Sequence, residues 1–240
     1  AASLEGIARA ATLAAHFAAT GEVRFRAPYS HDVEFHISAP GDGSLKFPLE
    51  ALSRLGDGLG QHKKRLASAI LLAILARATG QASNEGLEVE GETIASGTLD
   101  ALAEAATPGL ERAHRWIDSS NKTISVRRTA SDVVVFDEDS KEYLENEDFG
   151  NQSSQDVTVA ALNANSRKGR VYFDDLGRTV PFKVAREAHG RTMPNLSRYL
   201  VRYVDKANDW VTIVYIPVFY SDGRLKRVII LDCALASDLE

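Results

Sequence analysis

The chain has 240 residues, 44% of them apolar, and a formal net charge of -5 from 28 Lys+Arg and 33 Asp+Glu, which points to a soluble globular protein with enough core for one large domain or two modest ones. The single cysteine, Cys233, excludes an internal disulfide framework and fits a reducing compartment. The longest apolar run, Leu66 to Ala76, has 11 residues where a bilayer span needs about 20, so stable membrane insertion is not expected.

The charge is unevenly divided. Residues 1 to 150 carry 15 Lys+Arg against 23 Asp+Glu and residues 151 to 240 carry 13 against 10, nets of -8 and +3. The asymmetry suggests two units with different partners. No charged-then-apolar leader opens the sequence, so the expected location is cytoplasmic. "HKKR" before the apolar run would suit a lipid-headgroup anchor, but equally a solvated helix start.

In chain order, residues 1–21 read as an Ala-rich helix with Leu4, Ile7, Ala11, Ala14 and Phe17 near helical spacing and Gly21 at the C-cap. Val23 and Phe25, then Val33, Phe35 and Ile37, alternate around "APYS" and predict a hairpin. A turn "APGDGS" and a short strand "LKF" follow, then helical patterns near 48–55 and 62–79, and a loop over 81–97. "TLDALAEAA" is helical, and Thr107 with Pro108 marks a second helix start. "TISVRR" and "DVVVF" read as strands, and "DEDSKEYLENED" as an acidic helix or loop. The polar "GNQSSQD", residues 150–156, marks the boundary between a domain at 1–149 and one at 157–240.

Beyond the boundary the pattern turns to strands: "VTVAALN", "GRVYFDD" and "RTVPFKV", then a helix in "NLSRYLVRYVDKA", then "DWVTIVYIPVFY" and "LKRVIILDC" joined by the turn "SDGR". Three strands, a helix and two strands are the chain order of an OB-type barrel, which an SH3-like barrel or an α+β sheet would also satisfy. The expected fold is α+β: a helix-plus-sheet domain followed by a small five-stranded OB-like or SH3-like β-barrel with one helix.

Several stretches carry candidate chemistry. "VVVFDEDS" ends an apolar run in Asp137 and Asp139, as in the nucleophile strand of haloacid-dehalogenase-like phosphatases, and Asp174 with Asp175 mimics their metal-binding pair. Only 34 residues separate Asp139 from Asp174, too few for the parallel crossovers such a fold inserts there. An EF-hand loop from Asp137 fails because Lys141, Glu142 and Asp148 occupy positions that need a ligand, a glycine and a bidentate glutamate. "GDGLG", Gly56 to Gly60, lacks the Lys-Ser/Thr of a phosphate loop and reads as a flexible connector. Asp32, Glu34 and His36 share a strand face on which two could hold a metal, with His31 on the other face; a solvated face is the expected reading. Cys233 reads as a small apolar strand residue.

The hairpin from Arg167 to Val184 sets Tyr172 among Arg167, Lys168, Arg170, Arg178 and Lys183. On an OB-like barrel, strands two and three form an oligonucleotide face where aromatics stack on bases and cations track phosphates. These six residues are the candidate nucleic-acid site. Asp174 and Asp175 oppose a polyanion, and the alternation of Val171 and Phe173 with Arg170 and Tyr172 is also that of any half-exposed hairpin.

"SLEGIARAATLAAHFAATGEVRFRAPYSHDVEFHISAPGDGSLKFPL" resembles the N-terminal part of an uncharacterised bacterial family that pairs an α+β domain containing a helical segment with a small C-terminal β-barrel. "VTVAALNANSRKGRVYFDDLGRTVPFKV" and "SDGRLKRVIILD" are similar to that family's barrel. The resemblance implies this architecture and a non-enzymatic role in a bacterial protein, with a loose implication of defence or mobile-element systems. The family begins with a strand ahead of the first helix, and this sequence starts directly at "AASLEGIARA".

The expected function is therefore a binding or assembly module without catalytic residues, metal or cofactor. Its expected partner is a protein or a second copy of itself. Single-stranded nucleic acid bound by the barrel is the alternative.

Overall fold

The computed structural model describes residues 2–38, 46–82, 85–117, 122–131, 133–205 and 210–234. The chain divides into two compact units, residues 1–145 and 146–240. The fold is α+β, a region of helices and short hairpins followed by a five-stranded mixed β-barrel with one helix.

In the first unit, α1 (Ala2–Thr20) ends where expected, with Gly21 at φ +73 and its N–H on Phe17 O at 2.7 Å. The expected hairpin of Val23 and Phe25 with Val33 to Ile37 does not form. β1 (Val33–Ile37) instead pairs antiparallel with β2 (Leu49–Ser53), a stretch whose pattern predicted helix. Val23, Phe25 and Tyr29 pack against the helical core, so their alternation records that packing and no ladder. Lys46 and Phe47 of the expected strand "LKF" are irregular, and Leu45 with all of "APGDGS" lies outside the described residues.

α2 (Asp57–Ala78) begins inside "GDGLG", which is its first turn and not a connector, and which follows a strand. Its apolar run is covered by protein: Leu66, Ile70, Ile74 and Leu75 are fully buried. Among the described residues no helix is long and apolar enough to cross a membrane. The 81–97 stretch is not only loop, because β3 (Leu87–Val89) and β4 (Glu92–Ile94) form a hairpin with Glu90 and Gly91 at φ 53 and 80. Two successive positive φ angles are what a two-residue hairpin turn requires.

α3 (Ser96–His114) runs unbroken through Pro108. The Thr107 hydroxyl donates to Ala103 O at 3.0 Å, four residues back in the same helix, and caps nothing. Burial of Leu102, Ala106 and Leu110 on one face offsets the hydrogen bond that proline removes. α1 and α3 touch at glycines: a Cβ on Gly6 would lie 2.3 Å from Gly109 O, so only glycine permits this approach. A third hairpin, β5 (Ile124–Arg127) with β6 (Val133–Phe136), leads into α4 (Glu138–Glu145), as the strand and acidic-helix patterns predicted.

In the second unit β7 (Asp148–Phe149) precedes β8 (Ser153–Asn163), so the last four residues of the polar 150–156 stretch are strand. β9 (Lys168–Phe173), β10 (Arg178–Val184), α5 (Thr192–Val204), β11 (Val211–Phe219) and β12 (Leu225–Ala234) follow the predicted order. β8 pairs with β9 and β9 with β10 antiparallel, β10 with β12 parallel, and β12 with β11 antiparallel. β11 returns antiparallel to β8 and closes the barrel, with β7 added beside β11. The parallel β10 and β12 pair, reached by way of α5, gives the OB-like order and sets it apart from an all-antiparallel SH3-like barrel. Inside lie Val159, Val171, Phe173, Val180, Phe182, Ile213 and Ile230.

Candidate nucleic-acid interface

The strand period decides which side chains of the β9 and β10 hairpin meet solvent. Val171 and Phe173 on β9 and Val180, Phe182 and Val184 on β10 are buried. Lys168, Arg170 and Tyr172 take the opposite face, as do Thr179, Pro181 and Lys183. In register, Lys168 faces Lys183, Arg170 faces Pro181, and Tyr172 lies between Thr179 and, across the sheet, Thr158. Gly169 sits between the two basic positions because a Cβ there would lie 2.1 Å from Ala161 O and 2.5 Å from the Phe182 ring.

Three of the five candidate arginine and lysine positions are engaged by the fold. Arg178 is buried on the inner side, and its Nη2 donates to Leu225 O at 2.7 Å. β12 pairs with β10 only from Phe182 onward, and this bond bridges the stretch before that pairing starts. Arg170 donates from Nε to Thr179 Oγ1 at 2.9 Å and from Nη2 to Thr179 O at 2.8 Å. Arg167 occupies the turn between β8 and β9 with φ +54, and its Nη2 donates to Ala185 O at 2.7 Å. Its Nε is buried with no hydrogen-bond partner. The structure thus leaves Lys168 and Lys183 exposed to solvent, with Tyr172 half-buried on the same face four residues farther along β9, toward the aspartate turn.

Asp174 and Asp175 do not lie among these groups. β9 extends about 17 Å from Lys168 to Phe173 at an ordinary strand rise, and the aspartates form the turn at its far end. Asp175 accepts from Gln155 Nε2 at 3.0 Å, and Gln155 Oε1 accepts from Tyr215 Oη at 3.2 Å. Burial, followed by the nearby Asp175 charge, raises the Tyr215 pKa. The hairpin is therefore polar along its length, basic where β10 ends and acidic where it begins.

The other candidates resolve into structural roles. Asp137 caps α4: its Oδ1 accepts from Ser140 N at 3.0 Å, and its own N–H donates to Ser140 Oγ at 2.7 Å. Asp139 is exposed on the first turn of α4, in a different compact unit from Asp174 and Asp175. At the start of β1, His31 rather than Asp32, both just ahead of the strand, joins Glu34: His31 Nδ1 is 2.7 Å from Glu34 Oε1, and His36 Nε2 is 3.6 Å from Oε2. These histidines, His31 foremost, hold the Glu34 carboxyl below its ordinary value, while Asp32 turns back to Ser30 Oγ at 2.9 Å. Among the described residues no three His, Cys, Asp or Glu side chains are gathered to hold a metal ion. The basic "HKKR" is answered by the β3 and β4 hairpin, with His62 and Lys63 on Glu92 at 2.8 and 3.2 Å and Arg65 on Glu90 at 3.5 Å.

Cys233 is fully buried on β12, and burial pushes its thiol up to about 12. Beside it Asp232 takes Arg191 in two bonds, Nε to Oδ1 at 3.1 Å and Nη2 to Oδ2 at 2.6 Å, and Arg191 holds its carboxyl below the usual range. Asn195 Nδ2 donates to Cys233 O at 2.7 Å. These bonds fix the start of α5 to the end of β12.

Two features escaped the sequence pattern. His114 and Ser140 meet at 3.0 Å, but both are buried, with His114 Nδ1 donating to Leu110 O at 2.8 Å. A serine and histidine so enclosed join α3 to α4 and offer no nucleophile. The second feature is on α5, whose outer side carries Val201 and Val204 in solvent.

Residues 153–234 match the model of a family of unknown function, DUF7947. The matched range begins with β8 and ends with β12, so the DUF7947 domain is the closed barrel with α5. It is narrower than the resemblance drawn from the sequence, which took in the first unit as well. No curated protein and no solved structure matches the chain.

Proposed function

We propose that the chain is a non-enzymatic binding or assembly module whose partner surface lies on the outside of the DUF7947 barrel. One observation carries this reading. The barrel's buried reactive and charged groups, Cys233 and Arg178, and the half-buried Asp232 and Arg191 pair are committed to the fold, while large apolar side chains of α5 remain in water. Exposed apolar side chains grouped on one element mark interaction surfaces more often than chemistry. The test is hydrolysis of a generic phosphomonoester with Mg²⁺, the enzymatic alternative raised by the aspartates. No turnover is expected; turnover abolished by Asp137→Asn would overturn the reading.

A second reading, single-stranded nucleic acid on the β9 and β10 face, is favoured by Lys168 standing directly opposite Lys183. Like charges paired across strands cost stability, and an anion between them would relieve that cost. Tyr172 on the same face offers a stacking surface. Titration of labelled single-stranded DNA and RNA at low salt tests it. Binding that is saturable, weakened steeply by salt, and reduced by roughly 1 to 3 kcal/mol in Tyr172→Ala supports the reading. Absence of binding at low salt removes it.

A further inference from the structure

We propose that the outer face of α5 pairs with the same face of a second copy of this chain, as an antiparallel helix pair centred on Val201 and Val204. The proposal rests on the assembly reading above and names its partner.

α5 turns Leu196 and Tyr199 onto the barrel. On its opposite side Ser197, Arg198, Val201, Val204 and the C-cap residue Asp205 follow at helical spacing, all exposed. Val201 is 58% exposed and Val204 70%. Two β-branched residues on a solvent face lower helix propensity and leave apolar area in water, a cost that only a covering surface recovers.

The charges at either end of this stripe select the occupant and its direction. Arg198 and Asp205 flank the valines, and neither makes an ion pair among the described residues. A parallel two-fold pair would set arginine against arginine and aspartate against aspartate. An antiparallel pair with Val201 facing the second copy's Val204 brings Arg198 to within two residues, about 3 Å along the axis, of the second copy's Asp205. One face then supplies both the apolar centre and both halves of the ion pairs, as an isologous interface must. Two valines from each copy make a small apolar centre beside the roughly 1,200 Å² of a stable interface, so the association is reversible and concentration-dependent.

Sedimentation velocity on the full chain, from low-micromolar to near-millimolar concentration, tests this. The unaltered chain should pass from monomer to dimer. Val204→Glu should stay monomeric with an unchanged circular dichroism spectrum, since the side chain is in solvent. Arg198→Glu and Asp205→Arg should each weaken the dimer on the order of tenfold, and the two together should restore it. A chain monomeric throughout, or a dimer indifferent to Val204→Glu or not rescued by the double reversal, overturns the proposal. Those results leave the binding reading to the phosphomonoester and oligonucleotide experiments, whose outcomes do not depend on oligomeric state.

Discussion

The two units join their elements in different ways. The first buries polar groups deeply and keeps them neutral or fully paired. Arg77, 2% exposed, donates to Ser96 Oγ at 3.0 Å, Asp100 Oδ1 at 2.9 Å and the Glu85 carbonyl. His16 accepts from Ser30 N at Nδ1, 2.9 Å away, inside the helical core. The barrel also places ion pairs at its seams, where water still reaches them: Arg191 with Asp232, and Lys226 and Arg227 with Glu147. It too buries polar side chains, Arg178, Arg224, Thr192 and Asn195, but its strands are closed by backbone ladders. A helix bundle must join its elements through side chains, whereas a closed sheet joins them through the backbone. Polar side chains therefore carry more of the first unit than of the second.

The largest expected effect is at Asp100. Asp100→Ala leaves the Arg77 guanidinium buried without its carboxylate and should destabilise the first unit by about 3 to 5 kcal/mol. Phe173→Ala, fully buried in the barrel, should cost a similar 3 to 5 kcal/mol there through its cavity. Each unit has one tryptophan, Trp116 and Trp210, so denaturant melts of Trp116→Phe and Trp210→Phe variants report the units separately. If Asp100→Ala moves both transitions equally, the two units are not independent and the comparison fails.

At the β9 and β10 hairpin, Gly169→Ala drives a methyl group into Ala161 O and the Phe182 ring. It should lower the barrel transition by roughly 1 to 3 kcal/mol and leave the first unit unmoved.

Acid should separate the units by where each begins to weaken. Burial lowers the pKa of His16 and of His114 below 6.5, so both are neutral in the folded first unit. The unfolded chain takes up these protons first, and stability that is complete above about pH 6.5 falls as the pH drops toward the lowered folded values. In the barrel the lowered groups are carboxyls: Arg191 holds Asp232 below 3.8, and Arg227 with Lys226 holds Glu147 below 4.5 against the opposing effect of burial. Their contribution persists above those values and is lost only as the pH falls through the folded pKa values. Melts of the two single-tryptophan variants between neutral pH and pH 4 should show the first unit declining before the barrel. Equal decline would break the distinction.

The smallest effect sharpens the comparison within one strand. Tyr172→Ala, on the solvent face next to Phe173, should change barrel stability by no more than about 1 kcal/mol, against the several expected for its buried neighbour.

Local pattern alone determined much of this protein. The α1 helix with its glycine cap, the strands and helix of the barrel in their order, the β5 and β6 hairpin and the buried Cys233 strand were all legible, because each depends on a period of 2 or 3.6 or on one turn residue. Tertiary structure decided what pairs with what. β1 took Leu49–Ser53 as its partner, although that segment's Leu49 and Leu52 are spaced as in a helix, because the partner of a strand is set by distant chain and not by its own period. α3 continued through Thr107 and Pro108 because burial on both sides of the proline outweighed a local stop signal. Of the six candidate residues on the Arg167 to Val184 stretch, composition made a basic cluster. Closure of the barrel divided it, drawing Arg178 inside, holding Arg167 and Arg170 on backbone carbonyls, and setting Lys168 opposite Lys183 at one end of a face whose other end carries Tyr172. A sequence fixes which side chains alternate, but only the closed sheet fixes which carbonyls are left for them to satisfy.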